Sequence, residues 1–286
     1  MKIAIIGAGR VGSCLAYLLK DNYNIIGLTS LYEDENLRKD FNIYKPDKNI
    51  ELAKEADIIF ITTPDDKIKI TADEIFENKS IRKKFLFHCS GCHPSTILEK
   101  AKTNNNYTGS IHPLQSVPNV KQGIKNLKNA YFCIEGDDEA INIAKQIISN
   151  ISGKYFTIKT EYKPLYHLGA VFSSNYINAL IYTTCKIYKK ILNENDYKKI
   201  IEIISPLFTG TVNSIKNIGV IEGLTGPIVR EDLITIENHL KAIEKFFPEI
   251  EDLYINLAKQ TIEVAEMQNK NIDSKKILEV IYGNRS

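Results

Sequence analysis

The chain has 286 residues, about twice the ~100–200 residues of one typical domain, so we expect two domains. Hydrophobic residues make up 43% and charged residues 25%, which is ordinary globular usage and excludes a disordered, collagen-like or coiled-coil chain. The net charge is +2, with lysines and acidic residues interleaved, so neither nucleic acid nor a membrane surface is expected as a partner.

The cysteines and the N-terminus bear on the cellular compartment. The five cysteines are odd in number and scattered, and the apolar start of the chain leads into glycines instead of a cleavage site. No window reaches the ~18 apolar residues that span a bilayer. These features predict a soluble cytoplasmic protein with reduced thiols.

The first half alternates short apolar runs with longer amphipathic segments. Predicted strands cover residues 2–6, 24–28, 57–62, 85–88 and 130–134. Predicted helices cover residues 12–20, 67–76 and 138–150. This alternation predicts βαβ units, and runs that are apolar throughout are typical of parallel strands covered on both faces. Residues 1–159 are therefore predicted to form a doubly wound, Rossmann-like α/β domain with a parallel sheet.

Residues 160–286 are predicted to form an all-helical domain. Apolar residues recur with helical spacing. The predicted helices cover residues 164–192, 196–218, 232–246, 249–269 and a last segment from residue 273. Pro164 suits a first helical turn, and Pro248 separates two helices because proline cannot continue one. We expect this domain to contribute to the substrate site.

The first strand ends in a G-x-G-x-x-G segment that opens a helix, which is the context of a dinucleotide-binding loop. Its six residues, all expected to contact the cofactor, are Gly7, Ala8, Gly9, Arg10, Val11 and Gly12. Gly7 permits a tight turn, Gly9 lets a pyrophosphate approach the backbone, and Gly12 lets helix and strand pack closely. The helix N-terminus favours phosphate. The alternative is a glycine turn that binds nothing.

The tip of the second strand bears on the choice between NAD and NADP. NAD sites usually carry an acidic residue there, whereas this chain has Thr29 and Ser30. These hydroxyls, together with Arg10, can accept a 2′-phosphate. Other basic residues that can assist are Arg38 and Lys39. The acidic residues 33–35 would repel a phosphate if they faced it. We expect NADP, with NAD as the alternative.

Residues 89–93 match C-x-x-C-H, the attachment motif of c-type haem. Without an export signal or a second cysteine pair, neither haem nor a zinc site is expected, and no metal is predicted. The interpretation we favour is a turn of small residues after a strand. Ser90 in that turn is expected near the nicotinamide, since loops at strand carboxyl ends line the crevice of such sheets.

Four polar residues at the start of the helical half are candidates for the site. Helical spacing places His167, Ser174 and Asn178 in one stripe, with Asn175 beside it. We predict His167 as general acid/base, Ser174 and Asn175 as orienting residues, and Asn178 as a substrate contact. The alternative is that these side chains only bond to one another or to neighbouring backbone.

Two further regions supply secondary candidates. His112 lies at an apparent strand end and is a second catalytic candidate. In the loop of residues 223–232, Thr225 and Arg230 are candidate substrate contacts, and the helix that follows can receive an anion. Arg230 can equally cap a helix or pair with Glu231. His239 fits ordinary packing on a late helix.

Several segments together identify the chain as a member of an uncharacterised family of NADP-dependent oxidoreductases with a Rossmann-like N-terminal domain and a helical C-terminal domain of unknown function. They are GAGRVG at 7–12, TTPDD at 62–66, HCSG at 88–91, SIHPLQS at 110–116, YHLGAVFSSN at 166–175 and LTGPIVREDLITIENHL at 224–240. The second of them makes Thr63 and Pro64 expected cofactor contacts.

More distantly, the layout resembles pyrroline-5-carboxylate reductases, prephenate dehydrogenases and β-hydroxyacid dehydrogenases. The prephenate dehydrogenases imply a catalytic role for His167. The β-hydroxyacid dehydrogenases imply a catalytic lysine, but Lys163 is predicted to lie before the helix proper. The segment 225–227 resembles the substrate loop of the pyrroline-5-carboxylate reductases without its glycine pair. The resemblance also implies a homodimer built through the helical domains.

The expected function is hydride transfer between NADP and a small carbonyl, imine or hydroxy-acid substrate in a cleft between the domains. The alternative from another class is a non-catalytic dinucleotide sensor or scaffold. A reductase of a deazaflavin cofactor is a third possibility.

Overall fold

The computed structural model describes residues 1–283. These residues divide into two compact units, Met1–Ile181 and a second unit that begins at Tyr182. The strands are β1 (Lys2–Ile6), β2 (Asn24–Thr29), β3 (Ile43–Tyr44), β4 (Ile58–Ile61), β5 (Phe85–His88), β6 (Tyr107–Pro113), β7 (Tyr131–Gly136) and β8 (Lys154–Thr157). They form one sheet in the order β3-β2-β1-β4-β5-β6-β7-β8, in which only the β6–β7 pair is antiparallel. The predicted Rossmann-like fold class is confirmed.

Alternate residues of the central strands supply two separate cores. Ile3 and Ile5 of β1 pack into one core, whereas Ala4 and Ile6 pack into the other. Successive strand side chains point to opposite faces of a sheet, so an uninterrupted apolar strand is stable only when helices cover both faces. The apolar runs of the sequence therefore predicted the layering correctly.

Each predicted helical segment contains a helix, and four further helices of the first unit were not predicted. The helices are α1 (Arg10–Leu19), α2 (Glu35–Asp40), α3 (Asn49–Glu55), α4 (Asp65–Phe76), α5 (Glu99–Lys102), α6 (Val120–Leu127), α7 (Asp138–Asn150), α8 (Lys163–Val171), α9 (Ile177–Leu192), α10 (Tyr197–Ile218), α11 (Leu233–Phe246), α12 (Glu251–Gln268) and α13 (Ser274–Tyr282). A π-helical turn, Phe172–Tyr176, joins α8 to α9. Four short 3-10 turns cover Pro46–Lys48, Ser95–Leu98, Thr160–Tyr162 and Pro248–Ile250. The π-helical turn was not predicted.

The second unit has a core of its own, formed where α11, α12 and α13 pack together. Ile236, Ile255, Ala265 and Ile277 are buried at its centre. No described helix is long and apolar enough to cross a membrane. The proposed division of the chain into cofactor and substrate domains after residue 159 stays a prediction, because compactness does not measure function.

Three strands lack a clear sequence signal. β3 has only two residues, and β8 is largely exposed and lacks an apolar run. β6 interrupts its apolar residues with Thr108, Ser110 and His112, of which the first two are buried. Burial of polar side chains needs partners from elsewhere in the fold, which strand periodicity does not reveal.

Candidate functional site

The turn after β1 has the backbone geometry that the glycine pattern predicts. Gly7 has φ +106°, which disfavours any residue with a Cβ, and a Cβ there would lie 2.8 Å from the Thr63 backbone nitrogen. The amides of Gly7 and Ala8 both donate to the Thr29 carbonyl oxygen, at 3.1 and 2.8 Å. The turn is thereby tied to the end of the second strand.

The other two glycines of the loop differ in what surrounds them. A Cβ on Gly12 would lie 2.5 Å from Thr62 Oγ1 and would also collide with the Gly7 carbonyl oxygen. The nearest atom to a Cβ on Gly9 is the Thr62 carbonyl oxygen, 4.0 Å away. Gly12 is therefore required by packing, whereas Gly9 borders open space.

This open space adjoins a helix start with no side-chain cap. Gly9 is the N-cap of α1 and provides no capping side chain. Amides of a first helical turn have no partner within the helix, and the helix dipole adds partial positive charge. The Thr63 hydroxyl oxygen is also buried without a hydrogen bond. Uncapped amides, an unobstructed glycine and an unpartnered hydroxyl fit the diphosphate of a dinucleotide.

Basic and acidic side chains around the end of β2 bear on the choice between NADP and NAD. Arg38 pairs with Glu33 at 3.5 Å, and Asp34 caps α2 through its side chain. Two of the acids that could repel a phosphate are therefore already engaged. The exposed Arg10 makes a long hydrogen bond of 3.4 Å to the Pro118 carbonyl oxygen, so its guanidinium remains available to an anion.

Three further residues predicted to contact the cofactor differ in their burial. Thr29 is buried, and Ser30 Oγ accepts a hydrogen bond from the Tyr32 amide at 3.1 Å. Pro64 is exposed and precedes α4. The direct contacts of these three residues with a cofactor stay predictions.

Ser90 organises the turn of residues 89–93. Its hydroxyl donates to Asp65 Oδ2 at 2.8 Å and accepts from the amides of Cys92 and His93, at 3.2 and 3.1 Å. These three partners engage the hydroxyl fully, so any contact of Ser90 with a nicotinamide stays a prediction. Burial raises the pKa of Cys89 to about 12, so this thiol stays protonated at neutral pH.

A cavity of about 540 Å³ lies in the first unit, beyond the carboxyl end of β6. Its lining residues come from the α1 start, the segment after β6, and the α8 helix with its π-helical turn. They are Arg10, His112, Pro113, Leu114, Gln115, Ser116, Val117, Pro118, His167, Ala170, Val171, Ser173, Ser174 and Asn175. The structure thus brings together all four predicted catalytic residues and Arg10. Arg10 is the only charged side chain among these lining residues, so the cavity suits a neutral or anionic ligand.

Asn178 does not line this cavity. Helical spacing placed it in one stripe with His167 and Ser174, but the π-helical turn Phe172–Tyr176 intervenes. A π-helical turn contains more residues than an α-helical turn, so residues after it are rotated away from the expected stripe. Asn178 is exposed, and its predicted substrate contact has no support from the cavity.

His112 is held by a residue that sequence analysis missed. Its Nδ1 lies 2.6 Å from the hydroxyl of Tyr166. Burial, then the charge of Lys163, then that of His167 lower the pKa of His112 to about 3. Burial also raises the pKa of Tyr166, so its phenol keeps its proton. His112 is therefore a neutral imidazole at neutral pH. The only sequence signal for Tyr166 is its position directly before His167.

The position of Lys163 differs from the one expected from the sequence. It is the first residue of α8, not a residue before the helix, and its side chain is completely buried. Its Nζ donates to Ser110 Oγ at 2.7 Å, and burial lowers its pKa. Lys163 is not among the cavity-lining residues. Its Nζ lies 5.6 Å from the centroid of the Tyr166 ring, so it lies behind Tyr166 and does not border the cavity.

The loop of residues 223–232 lies in the second unit. Asp232 caps α11 by accepting from the Thr235 amide at 3.1 Å and from the Thr235 hydroxyl at 2.7 Å. The start of this helix therefore already holds a carboxylate, which argues against the expected binding of an anion there. Thr225 and Arg230 are exposed, and their substrate contacts stay predictions.

His239 also lies in the second unit. It is exposed, and its Nδ1 lies 3.1 Å from the Tyr254 hydroxyl. This contact fits the packing role expected for it.

Comparison with known proteins identifies the class. Residues 2–88 match the family described as NADP oxidoreductase, coenzyme F420-dependent, and residues 130–261 match a domain of unknown function, DUF2520. The N-terminal part of the chain thus matches an NADP-dependent oxidoreductase family, in agreement with the expectation from the glycine loop and the sequence resemblance. The expected cofactor is confirmed at the level of that family. The comparison with curated proteins found no match.

Solved structures of similar proteins identify the family of the whole chain. Protein TM1727 from Thermotoga maritima is 31% identical, with 93% of this chain and 99% of that chain covered and a TM-score of 0.74. The chain belongs to the same family as TM1727. BF3122 from Bacteroides fragilis is 22% identical over 92% of this chain and 98% of that chain, with a TM-score of 0.71.

A third solved structure, the Plasmodium falciparum pyrroline carboxylate reductase with NADP bound, is 16% identical. The comparison covers 94% of this chain and 98% of that chain, with a TM-score of 0.60. At these identities, BF3122 and the Plasmodium falciparum protein show a common fold.

Proposed function

We propose that the protein transfers a hydride between NADP and a small carbonyl, imine or hydroxy-acid substrate bound in the cavity lined by His112 and His167. The position of Arg10 is the observation that carries this proposal. Arg10 belongs to the glycine loop and also lines the cavity, so the dinucleotide cradle and the two histidines border the same space. A volume of about 540 Å³ is within the usual range of small-molecule sites.

The residues around the cavity have different roles in the proposed reaction. Bound NADP supplies or accepts the hydride. His167 moves the accompanying proton, and general acid–base catalysis of this kind contributes about 10²–10⁴-fold to rates. Ser174 and Asn175 donate hydrogen bonds that orient the substrate or the carboxamide of the nicotinamide. The first-turn amides of α1 hold the diphosphate.

Replacement of His167 tests the assignment. His167→Asn keeps a polar side chain of similar size but removes the titratable ring, so kcat should fall by about 10²–10⁴-fold while the Kd for NADPH is unchanged. The assay follows NADPH absorbance with panels of cyclic imines, keto acids and hydroxy acids. A deazaflavin is included because the matching family is described as coenzyme F420-dependent. His239→Asn is the matched control, since His239 lies in the second unit and should leave both values unchanged.

Two outcomes would contradict the proposal. A His167→Asn enzyme with normal turnover would remove His167 from the chemistry. NADPH binding without turnover across the whole panel would favour the sensor or scaffold function.

We also propose that the protein is a homodimer assembled through its helical half. Four large apolar residues of α10 are conspicuously exposed, namely Ile203 (56%), Leu207 (72%), Ile215 (43%) and Ile218 (58%). Soluble monomers rarely expose large contiguous apolar patches. Light scattering should give twice the 32.4 kDa chain mass. Leu207→Glu should shift the protein toward monomer, and a wild-type monomer at micromolar concentration would refute the dimer.

A further inference from the structure

The segment that follows β6 forms one wall of the cavity with uncharged polar side chains. Gln115 and Ser116 both line the cavity. Gln115 Oε1 accepts a hydrogen bond from the Ser116 amide at 2.8 Å, and Asn126 Nδ2 donates to the Ser116 carbonyl oxygen at 2.9 Å. These two bonds hold the segment in place. Within residues 1–283 they leave the NH2 group of Gln115 and the hydroxyl of Ser116 without a protein partner, so both groups are available to a ligand.

The π-helical turn forms a second wall of the same kind. Ser173, Ser174 and Asn175 are consecutive, and all three line the cavity. Successive side chains of an α-helix point about 100° apart, so three in a row rarely border one ligand. A π-helical turn contains more residues, which brings successive side chains closer to one face, and such turns are frequent at functional sites. Ser173 Oγ donates to the Gly169 carbonyl oxygen at 2.9 Å, whereas no hydrogen bond of the Ser174 or Asn175 side chain is found in the described part of the chain.

Neither wall carries a charge. Arg10 is the only permanently charged residue that lines the cavity, and it belongs to the glycine loop, where the phosphates of a bound dinucleotide compete for its positive charge. His112 is neutral at neutral pH, and His167 is positive only while it holds the proton that it transfers in the proposed function. No carboxylate is among the lining residues given above. A carboxylate or ammonium group of a substrate would therefore lose water without gaining a fixed partner of opposite charge, which costs far more than burial of a hydrogen-bonded hydroxyl or amide.

We propose that the substrate is an uncharged carbonyl or imine compound that carries a hydroxyl or amide group beside its reacting carbon, and that residues 115–116 and 173–175 bind this neighbouring group. The inference rests on the proposed function and narrows its substrate class, because it places keto acids and hydroxy acids among the poor substrates. The NH2 group of Gln115 donates hydrogen bonds, whereas the hydroxyls of Ser116 and Ser174 donate or accept them. The two walls therefore complement a neutral group that is either a donor or an acceptor.

Matched substrates test the charge preference. The 2-oxo acids of three to six carbons, their primary amides and the corresponding hydroxymethyl ketones share a reacting carbonyl group, and only the acids are charged. Oxidation of NADPH is followed by absorbance, and kcat/KM for the uncharged compounds should exceed that for the acids by about tenfold or more, mainly through a lower KM. Acids that are turned over as well as the amides would overturn the inference and leave hydride transfer intact. Absence of turnover with these compounds and with the cyclic imines would instead overturn the proposed function, and the inference with it.

The substitution Gln115→Lys tests where the neighbouring group binds. The new ammonium group supplies the cation that this wall lacks, so the ratio of kcat/KM for an acid to that for its amide should rise about tenfold. Comparison of this ratio between variant and wild type cancels the different intrinsic reactivities of the two compounds. Gln260→Lys is the matched control, because it makes the same change at an exposed residue of α12 that does not line the cavity, and its ratio should equal that of the wild type. An unchanged ratio in folded Gln115→Lys would overturn the assigned position. If Gln115→Lys fails to fold, the wild-type comparison decides.

Discussion

Substitution of Gly9 by alanine tests cofactor binding at the glycine loop separately from the stability of the fold. Gly9 has φ −77° and ψ −169°, an extended conformation that alanine adopts readily. Its added methyl group would meet no protein atom closer than 4.0 Å. Alanine is a poorer N-cap than glycine, which costs about 0.5–1 kcal/mol, but it stabilises by about 0.4–1 kcal/mol through a less flexible unfolded chain. The two effects nearly cancel.

The free energy of unfolding of Gly9→Ala should therefore change by no more than about 0.5 kcal/mol, or ~2 °C in Tm. Cofactor affinity should change much more, because the methyl group projects into the space through which a diphosphate reaches the α1 amides. Hydrogen bonds to charged groups contribute about 1.5–3 kcal/mol, so loss of one such bond raises the Kd for NADPH roughly 10–100-fold.

Isothermal titration with NADPH and thermal unfolding of the same preparations measure both effects. Gly169→Ala is the control, since a Cβ on Gly169 meets no atom within 4 Å. It should add about 0.8–1 kcal/mol of helix stability and leave binding unchanged. If Gly9→Ala binds NADPH as tightly as the wild type, then the diphosphate does not approach this turn, and the assignment of the cradle is wrong.

Three further substitutions test other parts of the structure. Gly12→Ala should destabilise the protein by about 1–3 kcal/mol in chemical denaturation without cofactor, because its Cβ collides with Gly7 and Thr62, and an unchanged midpoint would contradict this packing. Arg10→Gln should weaken NADPH about tenfold and NADH little at fixed salt, and equal losses for both would remove Arg10 from 2′-phosphate recognition. Burial of Asp137 by itself would raise the pKa of its carboxyl group, but the hydrogen bonds from Lys102 and Thr108 outweigh burial and lower that pKa. The stability that these bonds contribute is therefore present above about pH 4 and is lost as the pH falls through the folded-state pKa. Asp137→Asn should therefore be less stable by about 1–2 kcal/mol at pH 7, with a smaller difference in acid, and parallel pH profiles for the two proteins would refute this account.

Local patterns predicted much of the fold. The strands of the first half were found because residues such as Ile58 and Phe60 belong to runs that are apolar on both faces. The predicted helix at Asp138–Asn150 has the observed bounds, since its apolar residues recur with helical spacing. β3 and β8 were missed because a two-residue strand and an exposed edge strand carry little periodic signal.

The candidate site was predicted in part. His112, His167, Ser174 and Asn175 do line one cavity, but Asn178 does not, since the π-helical turn changes the direction of the residues after it. The close packing of His112 and His167 against Gly91 had no sequence signal, because the two histidines come from distant parts of the chain.

The sequence by itself determined the strand–turn–helix that opens the chain, the layered sheet and the helical second half, because each depends on patterns within a few successive residues. Only the tertiary structure decided the chemistry of the cavity. Lys163 meets Ser110 across 53 positions, and Tyr166 meets His112 across 54. The burial that depresses the pKa of His112 and the contact that orients its ring arise only when these segments pack together.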